Sequence, residues 1–352
     1  QGEDYEVVAV IGDGSLTGGM AYEALNNIGA SKSKLIVILN DNGMSISRNV
    51  GGISKYLGKI RTGKSYIRIK KNVKRIIGKI PLIGNFLVRK IQLLKAAFRL
   101  LAIPGEWFEA LGVKYIGPVD GHNIPEIEKA LNKAFYMNCP VLLHVITKKG
   151  HGYANAEANP SFYHGVSARS DQAGKGQSYS AVMAEELSLL AEQDPDIVAV
   201  TAAMPSGTGL ESFGKRYPGR FFDVGIAEEH AVTMAAGMAA AGIKPYVAIY
   251  STFMQRAYDQ LLHDCALQKL RVVIVLDRAG ISGRDGRTHH GVYDIAYLNS
   301  IPNLSVCAPC CAEELREMLR ISAGSFPAGP FVIRYPAQDR FSGDLQAVLR
   351  NP

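Results

Sequence analysis

A polar side chain closely follows each of the first two apolar runs of the chain. Asp13 stands between two glycines directly after the apolar run 7–11, and Asn42 follows the apolar run 35–39. The two side chains are 29 positions apart, which is about the length of one strand–helix–strand unit. We therefore expect both at one edge of a parallel sheet, beyond the carboxyl ends of its strands, where open α/β sheets bind ligands.

The residue types at this edge suit a hard cation. A carboxylate, an amide oxygen and a nearby backbone carbonyl leave an octahedral Mg²⁺ free positions for water and phosphate oxygens. A helix beginning near residues 15–17 would offer free N–H groups to the same phosphate. The spacing therefore favours a Mg²⁺-diphosphate site at Asp13 and Asn42.

Two other interpretations of the same residues remain open at this stage. Gly12-x-Gly14 resembles the start of a dinucleotide fingerprint, and Asp41 stands where a ribose-binding acid would follow the second strand. Two features argue against a nicotinamide site. Thr17 occupies the position of the third glycine, and the acid beside the first glycine would repel a pyrophosphate unless a metal ion lay between them. The third interpretation is a tight turn that needs glycine only for its geometry.

Acids, histidines and arginines also stand at expected strand ends in the second half of the chain. Glu228 opens a helix, a place where a carboxylate is normally a cap or is stabilised by the helix dipole. The other candidates are Tyr250, Phe253, Arg256, Arg278, Asp285, His289 and Arg334. Such a number of groups exceeds what helix caps require, so the pattern predicts a pocket for an anionic substrate with acid–base groups.

The cysteine content points to a reducing compartment. Five cysteines in 352 residues are too few for a disulfide scaffold, and they favour a cytoplasmic location. Cys307, Cys310 and Cys311 lack the second pair or the histidines that would complete a zinc set. We interpret these three as buried thiols beside a strand.

Short apolar runs alternate with segments of helical spacing along the chain, which predicts an α/β fold with two doubly wound, mainly parallel sheets. The expected strands are residues 7–11, 35–39, 141–145, 197–201, 246–249, 271–276, 306–308 and 331–334. The expected helices are residues 16–25, 108–111, 125–135, 179–192, 230–241, 255–268 and 312–321. Because the first run is continuously apolar, we expect a strand that is buried on both faces.

The length of the chain predicts two domains, 1–167 and 178–352, joined by the polar, glycine-rich linker 168–177. The net charge of +7 comes from one segment, 55–99, which holds 14 Lys and Arg and no acid; the remainder has 25 basic and 32 acidic residues. We expect a mobile insertion over 55–100 with solvated charges and no nucleic-acid role, since no aromatic platform accompanies the charge. No apolar stretch reaches the ~18 residues that span a bilayer, so no membrane partner is expected.

Together these motifs resemble a known family. The Gly-Asp-Gly motif with residues 40–47 resembles the thiamine diphosphate motif of transketolase-like enzymes. Further segments are similar to the 1-deoxy-D-xylulose-5-phosphate synthase family along nearly the whole chain, namely 117–122, 223–232, 250–260, 277–291 and 334–336. The resemblance implies that domain 1–167 binds Mg²⁺ and the diphosphate and that domain 178–352 binds the pyrimidine.

The resemblance implies a transferase that uses thiamine diphosphate and Mg²⁺. It would decarboxylate pyruvate and join the remaining two carbons to D-glyceraldehyde 3-phosphate, at the entry to isoprenoid, thiamine and pyridoxal synthesis, as a homodimer. The residues implied at the cofactor and metal are Gly12, Asp13, Gly14, Ser15, Asn42 and the Met44 carbonyl, with Glu228 and Phe253 at the pyrimidine. The residues implied at the reacting carbons are Lys149, His164 and His289. The residues implied around the acceptor are Tyr250, Arg256, Arg278, Asp285 and Arg334.

The chain departs from the family pattern in several places. The family has a segment before Gln1 and a third domain after Pro352, so we expect a piece of a longer protein. Glu229 stands where the family commonly has Gln, and Ala337-Gln338 stand where it commonly has Arg-Gly. The alternatives are another transketolase-like thiamine diphosphate enzyme or a fragment that binds cofactor without turnover.

Overall fold

The computed structural model describes residues 5–46, 48–62, 105–165, 178–283, 285–324 and 328–337. The chain divides into two compact units, Gln1–Pro160 and Ser161–Pro352. Every strand pair in both units is parallel, and helices connect the strands, which confirms the predicted α/β class. The predicted linker 168–177 lies outside the described residues.

The first unit contains a four-stranded sheet in the order β1-β2-β4-β3. Its strands are β1 (Val8–Gly12), β2 (Ile36–Asp41), β3 (Lys114–Asp120) and β4 (Val141–Ile146). Gly12 lies opposite Asn40 in the β1–β2 pair. Asp13 and Asn42 therefore leave the sheet at the same edge, as their spacing predicts.

Helices pack on the two faces of this sheet. They are α1 (Gly19–Ser31), α2 (Gly51–Thr62), α3 (Glu106–Ala110), α4 (Ile124–Phe135) and α5 (Ala154–Ala158). A 3₁₀ turn spans Ser15–Thr17. Another 3₁₀ turn, Phe162–His164, lies at the start of the second unit. One apolar cluster contains Leu16, Leu39 and Leu57, and a second contains Ile36 and Val141. Burial of these side chains holds the strand ends, and the polar loops that follow them, in place.

Two predictions about the first unit are wrong. β1, which pairs with β2 alone among the described residues, is largely exposed because few described side chains cover its faces; Val8 is at 40% and Val10 at 71% of their full accessibility. The predicted insertion does not begin at residue 55, since α2 continues to Thr62 and buries Leu57 and Ile60. The rest of that segment, from residue 63 onward, lies outside the described residues.

The second unit contains a six-stranded sheet in the order β6-β5-β7-β8-β10-β9. Its strands are β5 (Ile197–Thr201), β6 (Phe221–Asp223), β7 (Lys244–Tyr250), β8 (Val273–Asp277), β9 (Ser305–Cys307) and β10 (Phe331–Arg334). The central strands β7 and β8 are almost wholly buried, as continuous apolar runs in a covered parallel sheet require.

The α-helices of this unit lie on both faces of the sheet. They are α6 (Tyr179–Gln193), α7 (Glu211–Arg216), α8 (Glu228–Ala240), α9 (Ser251–Met254), α10 (Tyr258–Gln260), α11 (Asp294–Leu298) and α12 (Ala312–Ala323). Shorter turns of 3₁₀ helix occur at Pro218–Arg220, Gln255–Ala257 and Arg287–His289, and a π-helix spans Leu261–Ala266. None of the described helices is both long enough and apolar enough to cross a membrane.

The predicted helix over 255–268 is not one regular helix. The chain passes there from a 3₁₀ turn through α10 to the π-helix Leu261–Ala266, which is a geometry common at functional sites. The sequence pattern does not predict β3 or β6 as strands. β3 contains Gly117 and Pro118, which are poor strand formers, and β6 has only three residues.

Candidate functional site

Asp13 is a buried carboxylate at the carboxyl edge of the first sheet. Its side chain is 3% exposed, and its Oδ2 accepts hydrogen bonds from the Gly43 N–H at 2.8 Å and the Asn49 amide at 2.7 Å. The Asn42 N–H lies 3.4 Å from Oδ1. Burial, with Asp41 close by, raises the pKa of Asp13 to about 6. No Lys, Arg or His nitrogen among the described residues lies within 4.0 Å, so this acid is suited to a bound cation.

The neighbouring Asp41 is already fully engaged. His144 contacts one of its oxygens at 3.0 Å, and Arg61 pairs with the other at 2.5 Å. The Tyr115 hydroxyl lies 2.7 Å from the second ring nitrogen of His144. Burial opposes ionisation of Asp41, but hydrogen bonds and the charges of these partners outweigh it and lower the pKa. A carboxylate that is 0% exposed and paired in this way cannot reach a ribose, which argues against the nicotinamide interpretation.

A tight turn presents Asn42 beside Asp13. Asn42 Oδ1 accepts the Met44 N–H at 2.9 Å, and Gly43 has a positive φ of 78°. Glycine suits this positive φ, and a side chain on Gly43 would displace the Arg61 guanidinium that pairs with Asp41. The turn therefore holds the Asn42 amide and the Met44 backbone at the sheet edge where Asp13 lies.

The other candidates from the first half occupy different settings. Lys149 donates a hydrogen bond to the Ser45 carbonyl. Burial lowers the pKa of Lys149, and the charge of Asp13 partly opposes that change, so Lys149 lies near the edge of the sheet that carries Asp13. Gly12 and Ser15 are exposed beside this edge and Gly14 is buried. His164 is exposed in the 3₁₀ turn Phe162–His164, which belongs to the second unit.

Four candidates of the second half form one cluster. The rings of Tyr250 and Phe253 stack with centroids 5.8 Å apart, and Phe253 meets His289 edge-on at 5.3 Å. The Arg278 guanidinium lies 3.9 Å from the centre of the Tyr250 ring, a cation–π contact. The loops after β7 and β8 thus bring an aromatic surface, a histidine and an arginine together at the carboxyl end of the sheet.

Arg278 is held by several partners. Its Nη1 donates to the Gly207 carbonyl and to buried Asp277, each at 2.8 Å, and its Nε donates to Asp285 at 3.2 Å. Its φ of 56° is unusual for a residue with a side chain, and such backbone strain often marks a functional position. A side chain on Gly207 would meet the Tyr250 hydroxyl at 1.8 Å, so the loop packs tightly against the cluster.

Arg334 ends β10 and pairs with Asp294. Its Nε and Nη2 lie 2.8 and 3.2 Å from the two carboxylate oxygens, a bidentate ion pair, and the Ser251 hydroxyl donates to the same acid. The pair is largely shielded from water, with side chains 16% and 1% exposed. Arg334 therefore has a structural contact in addition to any ligand it binds.

We expect Arg334→Met to lower the free energy of unfolding of the second unit by about 3 kcal/mol, because Asp294 would stay buried without its cation. The measurement is urea denaturation. Lys215→Met is a matched control, since Lys215 forms an exposed pair with Glu211, and its loss should cost less than about 1 kcal/mol. Equal losses in the two variants would contradict a special role for the Arg334–Asp294 pair.

Glu228 opens α8 as predicted, and its carboxylate is 2% exposed. Arg256 Nη1 lies 2.5 Å from one of its oxygens, and Arg256 Nη2 lies 3.4 Å from Glu229. Burial raises the pKa of Glu228, and its backbone hydrogen bond and Arg256 oppose that rise. The structure thus pairs Arg256 with Glu228 and not with the cluster around Arg278.

Several residues of this site escaped the sequence analysis. Asn49, His144 and Asp294 each bind a candidate or its neighbour, but nothing in their local sequence marks them. His144 lies 103 residues from Asp41, inside a strand whose other residues are all apolar. Only Asp277, which directly precedes Arg278 at a strand end, carried a usable signal.

Two family models match the chain. Residues 1–147 match the model described as 1-deoxy-D-xylulose-5-phosphate synthase. Residues 175–340 match the pyrimidine-binding domain of transketolase. The matches agree with the division of the described chain into two α/β units.

Curated relatives match nearly the whole chain. The 1-deoxy-D-xylulose-5-phosphate synthase of Clostridium kluyveri is 50% identical over 96% of this chain and 54% of its own length. That of Carboxydothermus hydrogenoformans is 52% identical over the same shares of the two chains. The chain spans about half the length of these relatives. Among solved structures, transketolase from Campylobacter jejuni is 18% identical with a TM-score of 0.44, covering 97% of this chain and 59% of that chain.

Proposed function

Because the chain belongs to the 1-deoxy-D-xylulose-5-phosphate synthase family, we propose that it supplies the thiamine diphosphate-binding part of that enzyme. In this proposal the protein joins pyruvate, with loss of CO₂, to D-glyceraldehyde 3-phosphate and forms 1-deoxy-D-xylulose 5-phosphate. The reaction would serve isoprenoid and thiamine synthesis. We extend the proposal to a cytoplasmic homodimer, on the resemblance alone.

The observation that carries the proposal is the buried Asp13 carboxylate beside the Asn42 turn. A carboxylate that is 3% exposed and lacks an ion-pair partner among the described residues fits a divalent cation. Asp13, Asn42 and the Met44 carbonyl would supply hard oxygen ligands to Mg²⁺, and diphosphate oxygens would complete its shell. The N–H groups at the start of the 3₁₀ turn Ser15–Thr17, which Gly14 precedes, would bind the same diphosphate.

Bound thiamine diphosphate supplies the carbon nucleophile of such a reaction. The side chains of the protein would orient it and handle protons. Phe253 offers a ring face to the pyrimidine, and Glu228 offers a buried carboxylate that can hold a proton at a pyrimidine nitrogen. Lys149, His164 and His289 would lie at the reacting carbons, where lysine and histidine can donate or accept protons.

Two arginines would bind the phosphate of the acceptor. Arg278 Nη2 and Arg334 Nη1 make no hydrogen bond within the described ranges, although the other nitrogens of both side chains are engaged. Each guanidinium is therefore fixed by carboxylates and still has one terminal nitrogen for an anion. Tyr250 and Asp285, which contact Arg278, would meet the hydroxyls of the acceptor. Arg256, which the resemblance also assigns to the acceptor, would contact it from its position beside Glu228.

We expect Arg278→Lys to weaken binding of D-glyceraldehyde 3-phosphate by about 1.5–3 kcal/mol, because lysine lacks the guanidinium fork. Pyruvate carries no phosphate, so its binding should change much less. Arg287→Lys, an exposed arginine on the same loop, is the matched control. KM values for the two substrates check the expectation, and equal losses for both would show that Arg278 is only structural.

The proposed reaction is tested by incubating the protein with both substrates, thiamine diphosphate and Mg²⁺. We expect CO₂ release and a five-carbon ketose phosphate that is detectable by mass spectrometry. Cofactor binding without product would favour the alternative that this chain binds cofactor but does not turn over. Product formed with a different acceptor and not with D-glyceraldehyde 3-phosphate would favour another transketolase-like enzyme.

A further inference from the structure

Two cysteines and a glutamate converge where the edge strand β9 leads into α12. The ligand atoms of Cys310, Cys311 and Glu314 all lie within 4.8 Å of one another. No other three His, Cys, Asp or Glu side chains in the described part of the chain converge in this way. The group lies in the second unit, and none of its members belongs to the site proposed above.

The spacing of these cysteines is typical of buried thiols beside a strand, and the structure corrects that interpretation. Cys311 is 0% exposed, but Cys310 is exposed and Cys307 is half-buried at the end of β9. The thiol of the exposed Cys310 can be reached by solutes, and the thiol of the buried Cys311 is fixed in position by packing. Neither property is visible in the Cys-x-x-Cys-Cys spacing alone.

Glu314 is held in place in the absence of any ligand. Its Oε2 accepts the Cys310 N–H at 2.7 Å across the first turn of α12. The contact resembles a helix cap, and it fixes the carboxylate against the backbone that carries both thiols. The carboxylate also lies beside both thiols, so a ligand would meet a group that is already ordered.

The charges around this group also favour a cation. Glu313 and Glu314 form no ion pair with any basic residue that the structure describes. The basic residues of α12 are turned to other acids, since Arg316 pairs with Glu185 and Glu186, and Arg320 pairs with Glu186. Two carboxylates and two thiols thus lie at one helix end, and neither carboxylate has an ion-pair partner within the described part of the chain.

We propose that Cys310, Cys311 and Glu314 bind a thiophilic divalent cation of the Zn²⁺ class. Sulfur ligands select such ions over Mg²⁺, which prefers an all-oxygen shell. A tetrahedral ion with Zn–S bonds of about 2.3 Å needs ligand atoms about 3.5–4 Å apart, so only small side-chain rotations are required. Three protein ligands leave a fourth position, which opens to water on the exposed side of Cys310.

The experiment is a Co²⁺ titration of the reduced 352-residue chain, with excess Mg²⁺ present and no thiamine diphosphate. Cobalt reports its ligands directly, because bound thiolates give an intense sulfur-to-cobalt charge-transfer absorption that oxygen ligands do not give. We expect this absorption to saturate at one Co²⁺ per chain and to disappear when Zn²⁺ is added in slight excess.

Variants separate this site from other cysteines and from Asp13. Cys310→Ser and Glu314→Gln should weaken Co²⁺ binding by at least about 100-fold and about 10-fold, respectively. Cys310 is exposed, so its replacement should leave circular dichroism and thermal unfolding of the metal-free protein unchanged. Cys139→Ser, at a half-buried cysteine of the first unit, and Asp13→Asn should keep the absorption in full.

Three results would overturn the proposal. One is the absence of a thiolate band in the unmodified chain. Another is an equal band in Cys310→Ser, and the third is a loss as large in Cys139→Ser as in Cys310→Ser. Because no substrate or thiamine diphosphate enters the measurement, failure here would leave the proposed function unaffected.

Discussion

Replacing Glu228 with Gln should slow deuterium exchange at C2 of bound thiamine diphosphate by about 10²–10⁴-fold, the usual contribution of a positioned proton carrier. The carboxylate is 2% exposed at the start of α8, and burial raises its pKa. It is therefore suited to hold a proton against a pyrimidine nitrogen and so to promote proton loss at C2. Glutamine has nearly the same shape as glutamate, but it has no carboxylate that could share a proton with the pyrimidine nitrogen.

A competing interpretation makes Glu228 a helix-start carboxylate that only anchors Arg256, from which it lies 2.5 Å away. In that case the Gln variant should lose at most about 1 kcal/mol of stability and keep normal exchange. Glu229→Gln is the matched control, because Glu229 also faces Arg256 but its side chain is 39% exposed. NMR after acid quench measures C2 exchange, and normal rates in Glu228→Gln would leave only the anchoring role.

Asp13→Asn should weaken Mg²⁺-dependent binding of thiamine diphosphate by at least about 100-fold, because it removes the one carboxylate of the proposed ligand set. Asparagine matches aspartate in size, and its amide oxygen can still accept the hydrogen bond from Gly43. The fold of the first unit should therefore survive. The dissociation constant from calorimetry, with and without Mg²⁺, checks this expectation.

Asp120→Asn provides the control for that variant. Asp120 ends β3 in the same sheet but is exposed, and among the described contacts its side chain accepts only the His122 N–H, at 3.0 Å. Its replacement should leave cofactor affinity unchanged. If Asp120→Asn weakened binding as much as Asp13→Asn, the effect would be a general loss of negative charge and not the loss of a metal ligand.

The positions of the candidate residues at strand ends could be predicted from the sequence because parallel strands place their carboxyl ends at one edge. The spacing of Asp13 and Asn42 was sufficient to bring them together, and the loops after β7 and β8 likewise join Tyr250 to Arg278. The period of apolar and polar residues predicts most of the strands and helices, and a few topological rules limit the strand orders that a sheet can adopt.

The partners of these residues could not be predicted, because they come from distant parts of the chain. His144 reaches Asp41 across 103 residues, and Asp294 meets Arg334 across 40. The burial of a strand is equally hard to predict: the apolar run of β1 looks like a buried strand, but Val10 is exposed in the structure. Burial depends on what packs over a strand, which its own residues do not encode.

The most direct test of the account is calorimetric titration of thiamine diphosphate into the 352-residue chain, once with Mg²⁺ and once with a chelator in its place. The buried carboxylate of Asp13, which has no ion-pair partner among the described residues, predicts binding of one cofactor per chain when Mg²⁺ is present and little or none with the chelator. Equal affinity under the two conditions, or no binding under either, would contradict a metal-bridged diphosphate at Asp13 and Asn42.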